Sequence, residues 1–284
     1  MQFRLGCALW AYKEWAGSFF PATARSPDYL RLYGERLTMV EGNTTFYSLP
    51  SVETVARWAK DTPAAFRFCP KFPKWVTHQG LLSPRLAQAL EFWERMQGLG
   101  DRLGPLFVQL PPSYGPEALA DLQAFLAALP LATGQVAVEV RHPEWFQPGA
   151  AIALSACLTE LGVGRVLLDT RPVYDVPDDP QIWSERKKPR LPVVFEQTAA
   201  FSLVRYISHP QWELNLPFLA DWVEPIATWL QADTAVYFCV HCPVEVRSPG
   251  NADAIYHYLT AQGLELPPLP WHAIAPEPVQ LTLL

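Results

Sequence analysis

Charged residues are scarce in this chain: Asp, Glu, Lys and Arg make up 18% of its 284 residues, against 50% for hydrophobic residues. Disordered chains show the opposite balance, so the composition indicates a folded protein with a large buried core. The chain also lacks an apolar run of membrane-spanning length, and its first residues, MQFRLGCALW, lack the apolar core of a signal peptide. We therefore expect a soluble cytoplasmic protein.

Cysteines are few and odd in number. Cys7, Cys69, Cys157, Cys239 and Cys242 are scattered along the chain, which suits reduced thiols better than a disulfide framework. The last two form an isolated CVHC at the end of the apolar run AVYFCV. A redox or metal-binding pair needs a turn or a helix N-terminus at that point, so we interpret both cysteines as structural.

Several motifs that would signal a cofactor are missing. There is no GxGxxG, GxxxxGK[ST] or GxSxG, which leaves nucleotide-cofactor and serine-hydrolase functions without support. HExxH and HxH are absent among the six histidines, so we expect no cofactor, or at most a single weakly held divalent metal ion. A net charge of −6 argues against a broad nucleic-acid footprint or docking to an anionic membrane. The expected partner is a small molecule, and the expected state is a monomer.

Short apolar runs with strand character recur along the chain at intervals of roughly 30 to 40 residues. They occupy residues 3–9, 37–41, 66–70, 105–110, 136–140, 164–169, 203–207 and 235–240. Most are apolar almost throughout rather than alternating, which is typical of strands that are buried on both faces of a parallel sheet.

Helical patterns fill most of the gaps, at residues 27–36, 52–61, 86–97, 116–128, 149–161, 218–231 and 251–262. Eight strands alternating with helices predict an α/β fold, a (β/α)8 TIM-type barrel, with residues 1–265 as a single domain. The proline-rich gap at residues 171–200 has no helical period, so this connection should be irregular and poor in helix. Residues 266–284 are also proline-rich and are predicted to form an extended tail that packs on the barrel, anchored by Trp271.

Polar residues cluster where these strands end, and in such a barrel the C-terminal strand ends share one mouth. The predicted catalytic residues are Glu41, Glu139, Asp169 and His241. The predicted substrate-binding residues are Trp10, Tyr12, Asn43, Tyr47, Lys71, Gln109, Arg141, His142, Trp145 and Arg205. Buried charged groups are costly unless they are paired or used, so their convergence in a chain with little charge favours a functional site.

A purely structural explanation of the same residues stays open. The acidic residues could pair with the nearby Lys and Arg side chains around the barrel rim. His142, which precedes Pro143, could cap its loop, and the aromatic residues could serve for packing. The basic run ERKKPR at residues 185–190 is interpreted as a solvated loop.

The charges of this set limit the chemistry that it can perform. Lys and Arg side chains together suit a phosphate or carboxylate group. Glu41 or Glu139 would be ionised beside these cations and act as general base, with His241 as acid or proton shuttle. Lys71 is expected to have a raised pKa next to carboxylates, which disfavours a Schiff base at this residue.

Several stretches carry a likeness to a known family when they are taken together. They are GCALWAYKEWAGSFFP, VEGNTTFYSLPSVETVARWAKDTPAAFRFCPKFP, LGPLFVQLPP and VEVRHPEWF, with weaker matches in LLDT and VYFCVHCPVEVRSPGNA. Over nearly all of residues 3–262 the chain resembles the YecE-like family, domain of unknown function 72. The resemblance implies a TIM-barrel-like fold and no established activity. The residues that match the family pattern are Glu41, Asn43, Lys71, Gln109, Glu139, Arg141, His142, Asp169 and His241.

The main hypothesis is an enzyme of hydrolase or lyase type that uses acid–base chemistry on a small anionic or sugar-like substrate. One alternative is a nucleic-acid-binding or metal-dependent endonuclease-like barrel, in which aromatic residues stack on bases and the ERKKPR loop holds phosphates. Another alternative is a non-catalytic ligand-binding protein.

Overall fold

Eight parallel strands form one sheet in a computed structural model, which describes residues 2–182 and 187–274. The strands are β1 (Phe3–Cys7), β2 (Met39–Gly42), β3 (Arg67–Pro70), β4 (Leu106–Gln109), β5 (Val136–Glu139), β6 (Gly164–Asp169), β7 (Phe201–Ile207) and β8 (Ala235–His241). All eight apolar runs that were predicted to be strands are therefore confirmed.

The sheet closes almost completely on itself. Its strand order is β3-β2-β1-β8-β7-β6-β5-β4, with parallel pairing between neighbours. The two end strands, β3 and β4, meet through isolated bridges at Phe68–Leu103 and Lys71–Phe107. The amide of Phe72 also donates to the Phe107 carbonyl at 2.9 Å. The predicted (β/α)8 TIM-type class is confirmed.

Side chains along each strand alternate between the barrel interior and the surrounding helices. The interior holds an apolar cluster that includes Met39, Cys69, Phe107, Ala137 and Cys239. On most strands the next residue belongs instead to the larger core between sheet and helices, as do Val40, Val108, Val138 and Val240. Both faces of the strands are buried, which explains why their sequences are apolar almost throughout.

Helices surround the barrel, and local sequence signals set several of their ends. They are α1 (Tyr29–Gly34), α2 (Val52–Asp61), α3 (Lys74–Thr77), α4 (Leu86–Gln97), α5 (Leu119–Ala127), α6 (Pro148–Leu161), α7 (Arg171–Tyr174), α8 (Leu216–Gln231) and α9 (Ser248–Ala261). Ser51 caps α2, because its hydroxyl accepts from the Thr54 amide at 3.2 Å. Gly162 ends α6 with a φ of 66°, a left-handed conformation that favours glycine. The predicted helices are confirmed, with small shifts at some ends.

The connection between β6 and β7 is poor in helix, as predicted. Among its described residues, α7 is the only helical segment. Leu191 packs against Leu168, Val173 and Ile207, which places this part of the connection beside the C-terminal ends of β6 and β7.

After α9 the described chain ends in a short 3₁₀ turn, Pro270–Ala273. The Trp271 amide donates to the Arg36 carbonyl at 3.2 Å, and the Trp271 ring packs edge-on against Phe19 with centroids 4.8 Å apart. Residues 275–284 lie outside the described residues, so the extended tail and the domain division at residue 265 stay predictions. Within the described residues, no helix has the length and apolarity needed to cross a membrane.

Candidate active site

Six polar side chains project into the barrel at the C-terminal ends of its strands. Each lies two residues after a member of the inner apolar cluster, as Glu41 does after Met39, so the period of two directs all of them inward. They are Glu41, Lys71, Gln109, Glu139, Arg205 and His241, and all are buried. The sequence predicted every one of them.

Arg205 on β7 is the centre of this group. Its Nε and Nη2 donate to the two carboxylate oxygens of Glu41 at 2.7 and 3.0 Å. Its Nη1 donates to Glu139 Oε2 at 2.5 Å. The planar guanidinium therefore bridges carboxylates from β2 and β5, two strands that are not neighbours in the sheet.

Lys71 and Arg141 extend the network through Gln109. Lys71 Nζ lies 3.0 Å from Glu41 Oε1 and donates to Gln109 Oε1 at 3.1 Å. Arg141 donates to Glu139 Oε1 at 2.6 Å and to the same Gln109 oxygen at 2.9 Å. The carboxylates thus share their cationic partners instead of forming separate pairs.

Asn43 and Phe107 hold Lys71 in place. Asn43 Oδ1 accepts from Lys71 Nζ at 2.5 Å, while the Asn43 amide donates to the Ala8 carbonyl at 2.7 Å. The Phe107 ring centroid lies 4.8 Å from Lys71 Nζ and 5.1 Å from the guanidinium carbon of Arg205. Phe107 therefore makes cation–π contacts with both cations, and the quadrupole of its ring stabilises them.

The two carboxylates stay ionised although they are buried. Burial alone would raise the pKa of Glu41, but Arg205, Lys71 and His241 outweigh it and hold this pKa well below the ordinary range. For Glu139, burial is again opposed, mainly by Arg141 and Arg205, and the pKa falls to about 2. Three cations therefore face two carboxylates, which leaves positive charge that an anion can neutralise.

Burial lowers the pKa of Lys71 and of His241, whereas it raises the pKa of a carboxyl group. It lowers the pKa of Lys71 to about 8, although Glu41 acts in the other direction. The expected rise of the Lys71 pKa is therefore wrong, because desolvation of the ammonium group outweighs its attraction to the carboxylate. Burial also lowers the pKa of His241 to about 3, so the ring is neutral near pH 7. Its Nε2 lies 3.0 Å from Glu41 Oε2, and since an ionised carboxylate only accepts, this nitrogen carries the hydrogen.

Two ionisable residues that sequence reasoning missed act on the same network. Burial lowers the pKa of Lys188 to about 7, and repulsion from Arg205 contributes. Lys188 is half-buried, whereas Lys187 and Arg190 are exposed, as the prediction of a solvated loop requires, and residues 185 and 186 lie outside the described residues. Burial raises the pKa of Glu245, which follows β8, to about 7, and Glu41 adds to this shift. Glu245 lies only four residues after His241, a position that could have suggested it, whereas no local pattern identifies Lys188.

Asp169 does not join the network. It lies on β6 with the outward side-chain direction of Leu167, which belongs to the core under the helices. Its carboxylate accepts from Arg171 Nη2 at 2.8 Å and from Trp222 Nε1 at 2.9 Å. Asp169 therefore ties α7 and α8 to the strand. The period of two from the inward Val166 could have indicated this direction.

Trp145 and His142, both predicted to bind substrate, also lie apart from the network. Trp145 is fully buried, and its Nε1 donates to the Tyr114 carbonyl at 2.8 Å. His142 Nδ1 accepts from the Glu144 amide at 3.2 Å, which is the capping role that was left open as the alternative.

The remaining predicted aromatic residues lie on loops that follow β1 and β2. Trp10 packs against Trp58 of α2 with ring centroids 5.2 Å apart, and Tyr12 packs against Trp15 at 5.8 Å. Tyr47 is 55% exposed, so a ligand can reach it. Trp10 and Tyr12 therefore pack against α2 and within the loop that follows β1.

Glu41, Cys239 and His241 bring three possible metal ligands within 4.8 Å of one another. Both oxygens of Glu41 already accept from Arg205, and burial raises the pKa of the Cys239 thiol well above its ordinary range. A protonated thiol beside a guanidinium disfavours a bound cation. This arrangement suits an anion better than a metal ion.

The fold and the site together define a class of protein. It is a (β/α)8 barrel in which acidic and basic side chains form one ion-pair network at the C-terminal ends of the strands. Within that class, comparison with family models identifies the family. The chain belongs to the family described as protein of unknown function DUF72, whose model matches residues 4–274. The resemblance inferred from the sequence is thereby confirmed.

Individual relatives agree with this assignment. The UPF0759 protein YecE of Escherichia coli K12 is 36% identical over 248 residues, which cover 86% of this chain and 88% of that protein. A DUF72 family protein of Enterococcus faecalis V583 has a TM-score of 0.69 at 19% identity, covering 94% of this chain and 98% of that one. A DUF72 family protein of Thermotoga maritima MSB8 has a TM-score of 0.69 at 18% identity, covering 92% and 100%. At these identities the two structures support the fold alone.

Proposed function

We propose that this protein is an enzyme that performs acid–base chemistry on a small substrate bearing a phosphate or carboxylate group, at the C-terminal mouth of the barrel. The observation that carries the proposal is the shared network, in which Arg205 bridges Glu41 and Glu139. Lys71 and Arg141 attach to the same two carboxylates. Separate ion pairs would be enough for a structural rim, whereas an excess of cations over carboxylates favours an anionic ligand.

Arg141 is the network member with the best access to a ligand. Its side chain is 16% exposed, while those of Lys71, Glu41, Glu139, Arg205 and His241 are 5% exposed or less. Its bonds to Glu139 and Gln109 use two guanidinium nitrogens, and a guanidinium carries five N–H donors. Arg141 therefore retains donors for an oxyanion at the outer edge of the mouth.

We assign the acid–base step to Lys71, whose Nζ lies within the network at 3.0 Å from Glu41 Oε1, with Glu245, which follows β8, as the second candidate. A general acid or base works best when its pKa lies near the operating pH. The pKa values of about 8 for Lys71 and about 7 for Glu245 meet this condition. Glu139, with a pKa of about 2, is a weak base and serves to position the cations. Proton transfer of this kind fits a lyase- or hydrolase-type reaction and needs no organic cofactor.

One experiment with two readouts tests the proposal, using a panel of phosphate, sulfate and small phosphorylated or carboxylated compounds. The first readout is calorimetric. A ligand at about 100 times its Kd should stabilise the protein by about 2.7 kcal/mol, which raises Tm by about 5–10 °C. Arg141→Ala should lose most of this increase. Arg31→Ala removes an exposed arginine on α1 and should keep it.

The second readout is turnover of the same panel in D₂O, followed by NMR as substrate loss or deuterium incorporation. Lys71→Met should lower the rate at least about 100-fold, because general acid–base catalysis contributes about that much. Lys74→Met, which changes an exposed lysine on α3, should turn over normally. Binding of panel members without turnover in the wild type would contradict the enzyme and favour a non-catalytic ligand-binding protein. Absence of any stabilising anion would contradict both.

A further inference from the structure

A second cluster of ionisable side chains lies on the surface, outside the network of the mouth. Asp253 and His257 are four residues apart on one face of α9, and His272 comes from the turn Pro270–Ala273. The possible ligand atoms of these three residues all lie within 4.8 Å of one another. Their side chains are 32%, 61% and 32% exposed in that order, so an ion from solution can reach them.

One of the two histidines in the cluster lies within hydrogen-bond distance of Asp253, and the other does not. His272 Nε2 lies 2.7 Å from Asp253 Oδ1, a hydrogen-bond distance. His257 Nε2 lies 3.7 Å from the same oxygen, which is too long for a hydrogen bond. The two imidazole rings stack with centroids 4.8 Å apart and planes inclined by 24°. Two ring nitrogens and one carboxylate oxygen therefore lie close enough together to share one ion.

These donors match the preferences of Zn²⁺, which binds histidine nitrogen at about 2.0–2.1 Å and carboxylate oxygen at about 2.0–2.2 Å in a tetrahedral arrangement. Tetrahedral bonds of that length separate neighbouring donor atoms by roughly 3.3 Å. The separations of 2.7 and 3.7 Å lie on either side of this value. Small rotations of exposed side chains are enough to close the site around an ion.

The main chain that carries His272 is held by contacts that do not involve the cluster. Trp271 packs against Phe19, and its amide donates to the Arg36 carbonyl. The His272 side chain makes a further contact of its own, since its ring centroid lies 5.2 Å from that of Tyr256 on α9. The third ligand is therefore positioned in advance, which lowers the entropy cost of binding an ion.

We propose that Asp253, His257 and His272 form a binding site for one divalent transition-metal ion of the zinc class, with a fourth position open to water. The bound ion would link the segment after α9 to that helix. This site is separate from the function assigned to the mouth of the barrel, and neither depends on the other.

The test is a titration of the chelator-treated full chain with Zn²⁺ by isothermal calorimetry. We expect one equivalent to bind, and we expect His257→Ala and His272→Ala each to weaken binding at least about tenfold, or about 1.4 kcal/mol. His142→Ala, which removes a histidine outside the cluster, should bind Zn²⁺ as the wild type does. Because His257 and His272 are exposed, both variants should fold, and Zn²⁺ should raise the Tm of the wild type but not of His257→Ala.

Cobalt replacement distinguishes this site from the barrel interior. Co²⁺ bound by two imidazoles and a carboxylate shows ligand-field bands without thiolate charge-transfer absorption. Co²⁺ bound at Cys239 would show that absorption, and Cys239→Ala would abolish it. The proposal is overturned by a thiolate band in the wild type, by binding that survives both histidine replacements, or by absence of stoichiometric Zn²⁺ binding.

Discussion

Arg205 illustrates how a single buried residue depends on distant partners. Its side chain is 1% exposed. Burial alone would lower its pKa, but Glu139 and Glu41 raise that pKa above the ordinary range. Removing one member of such a buried group leaves an uncompensated charge, which typically costs about 3–5 kcal/mol. Loss of any one of these charged residues should therefore destabilise the barrel.

Replacement of Glu139 by Gln should change how stability depends on pH. Its folded-state pKa is about 2, below the value of about 4.3 for an unfolded chain. The ionised carboxylate therefore contributes about 3 kcal/mol above pH 4.3, and this contribution is lost as the pH falls toward 2. Glu139→Gln should be less stable at neutral pH and should lose stability less steeply below about pH 4.3. Urea unfolding over this range measures both effects.

Neighbouring groups titrate in or beside this window in both proteins, so the difference between the variant and the wild type isolates Glu139. The pKa of Glu41 is lowered too, and its contribution to stability is likewise lost at low pH. The pKa of His241 is also lowered, so its contribution to stability is lost in the same direction as the pH falls from about 6.5 toward 3. The raised pKa of Glu245 acts in the opposite direction, but only between about pH 4.3 and 7. Glu35→Gln, an exposed carboxylate in a surface pair with Arg31, should keep the wild-type slope. Equal slopes for Glu139→Gln and the wild type would contradict an ionised, buried Glu139.

At the scale of elements, the described part of the β6–β7 connection lies beside the mouth. Leu191, Pro192 and Val194 line a small recess together with Glu139. Lys188 precedes them and acts electrostatically on Arg205 and Glu41. A connection that is poor in helix thus lies beside the candidate site, which is common for loops on a rigid barrel.

Leu191→Ala should affect both stability and ligand binding. Leu191 is 8% exposed and packs against Leu168, Val173 and Ile207, so truncation should cost about 2 kcal/mol. Loosening the connection should also reduce the rise of Tm that the proposed function predicts for phosphate, although Leu191 carries no charge. Calorimetry with and without phosphate measures both effects.

Ile182→Ala is the matched control, because Ile182 lies in the same connection and is 60% exposed. It should change neither the stability nor the phosphate effect. A destabilised Leu191→Ala that keeps the full phosphate effect would show that the connection does not shape the mouth.

For the molecule as a whole, the distribution of charge argues against nucleic-acid binding. The net charge is −6. In the basic stretch of the connection, Arg190 pairs with Asp175 at 2.7 Å and Lys187 with Asp179 at 3.6 Å, so local acids neutralise these cations. Trp145, one of the aromatic residues considered for base stacking, is fully buried.

The protein should therefore show no binding to a labelled single-stranded oligonucleotide in fluorescence anisotropy at low salt. The long-range field of an acidic protein repels the phosphate backbone. Tight binding that weakens steeply with salt would contradict this expectation and revive the endonuclease-like alternative.

Much of the architecture follows from patterns that are local in the chain. The apolar runs identify the strands, and the helical periods identify the helices around them. The same period of two shows why Glu41 and Glu139 point inward, and it could have shown that Asp169 points outward. Local patterns do not show which side chains bond to one another. Arg205 is bonded to Glu41 across 164 residues and to Glu139 across 66.

The sequence by itself determined that this chain forms a (β/α)8 barrel with polar residues at its strand ends. Strands that are buried on both faces are apolar almost throughout, and helices that are buried on one face repeat apolar residues with the helical period. Only the tertiary structure decided that Lys188 and Glu245 act on the same network and that Trp145 does not. It also brought His272 to Asp253 and His257. These outcomes depend on how the barrel closes and how irregular connections cross it, and no repeat in the sequence encodes that path.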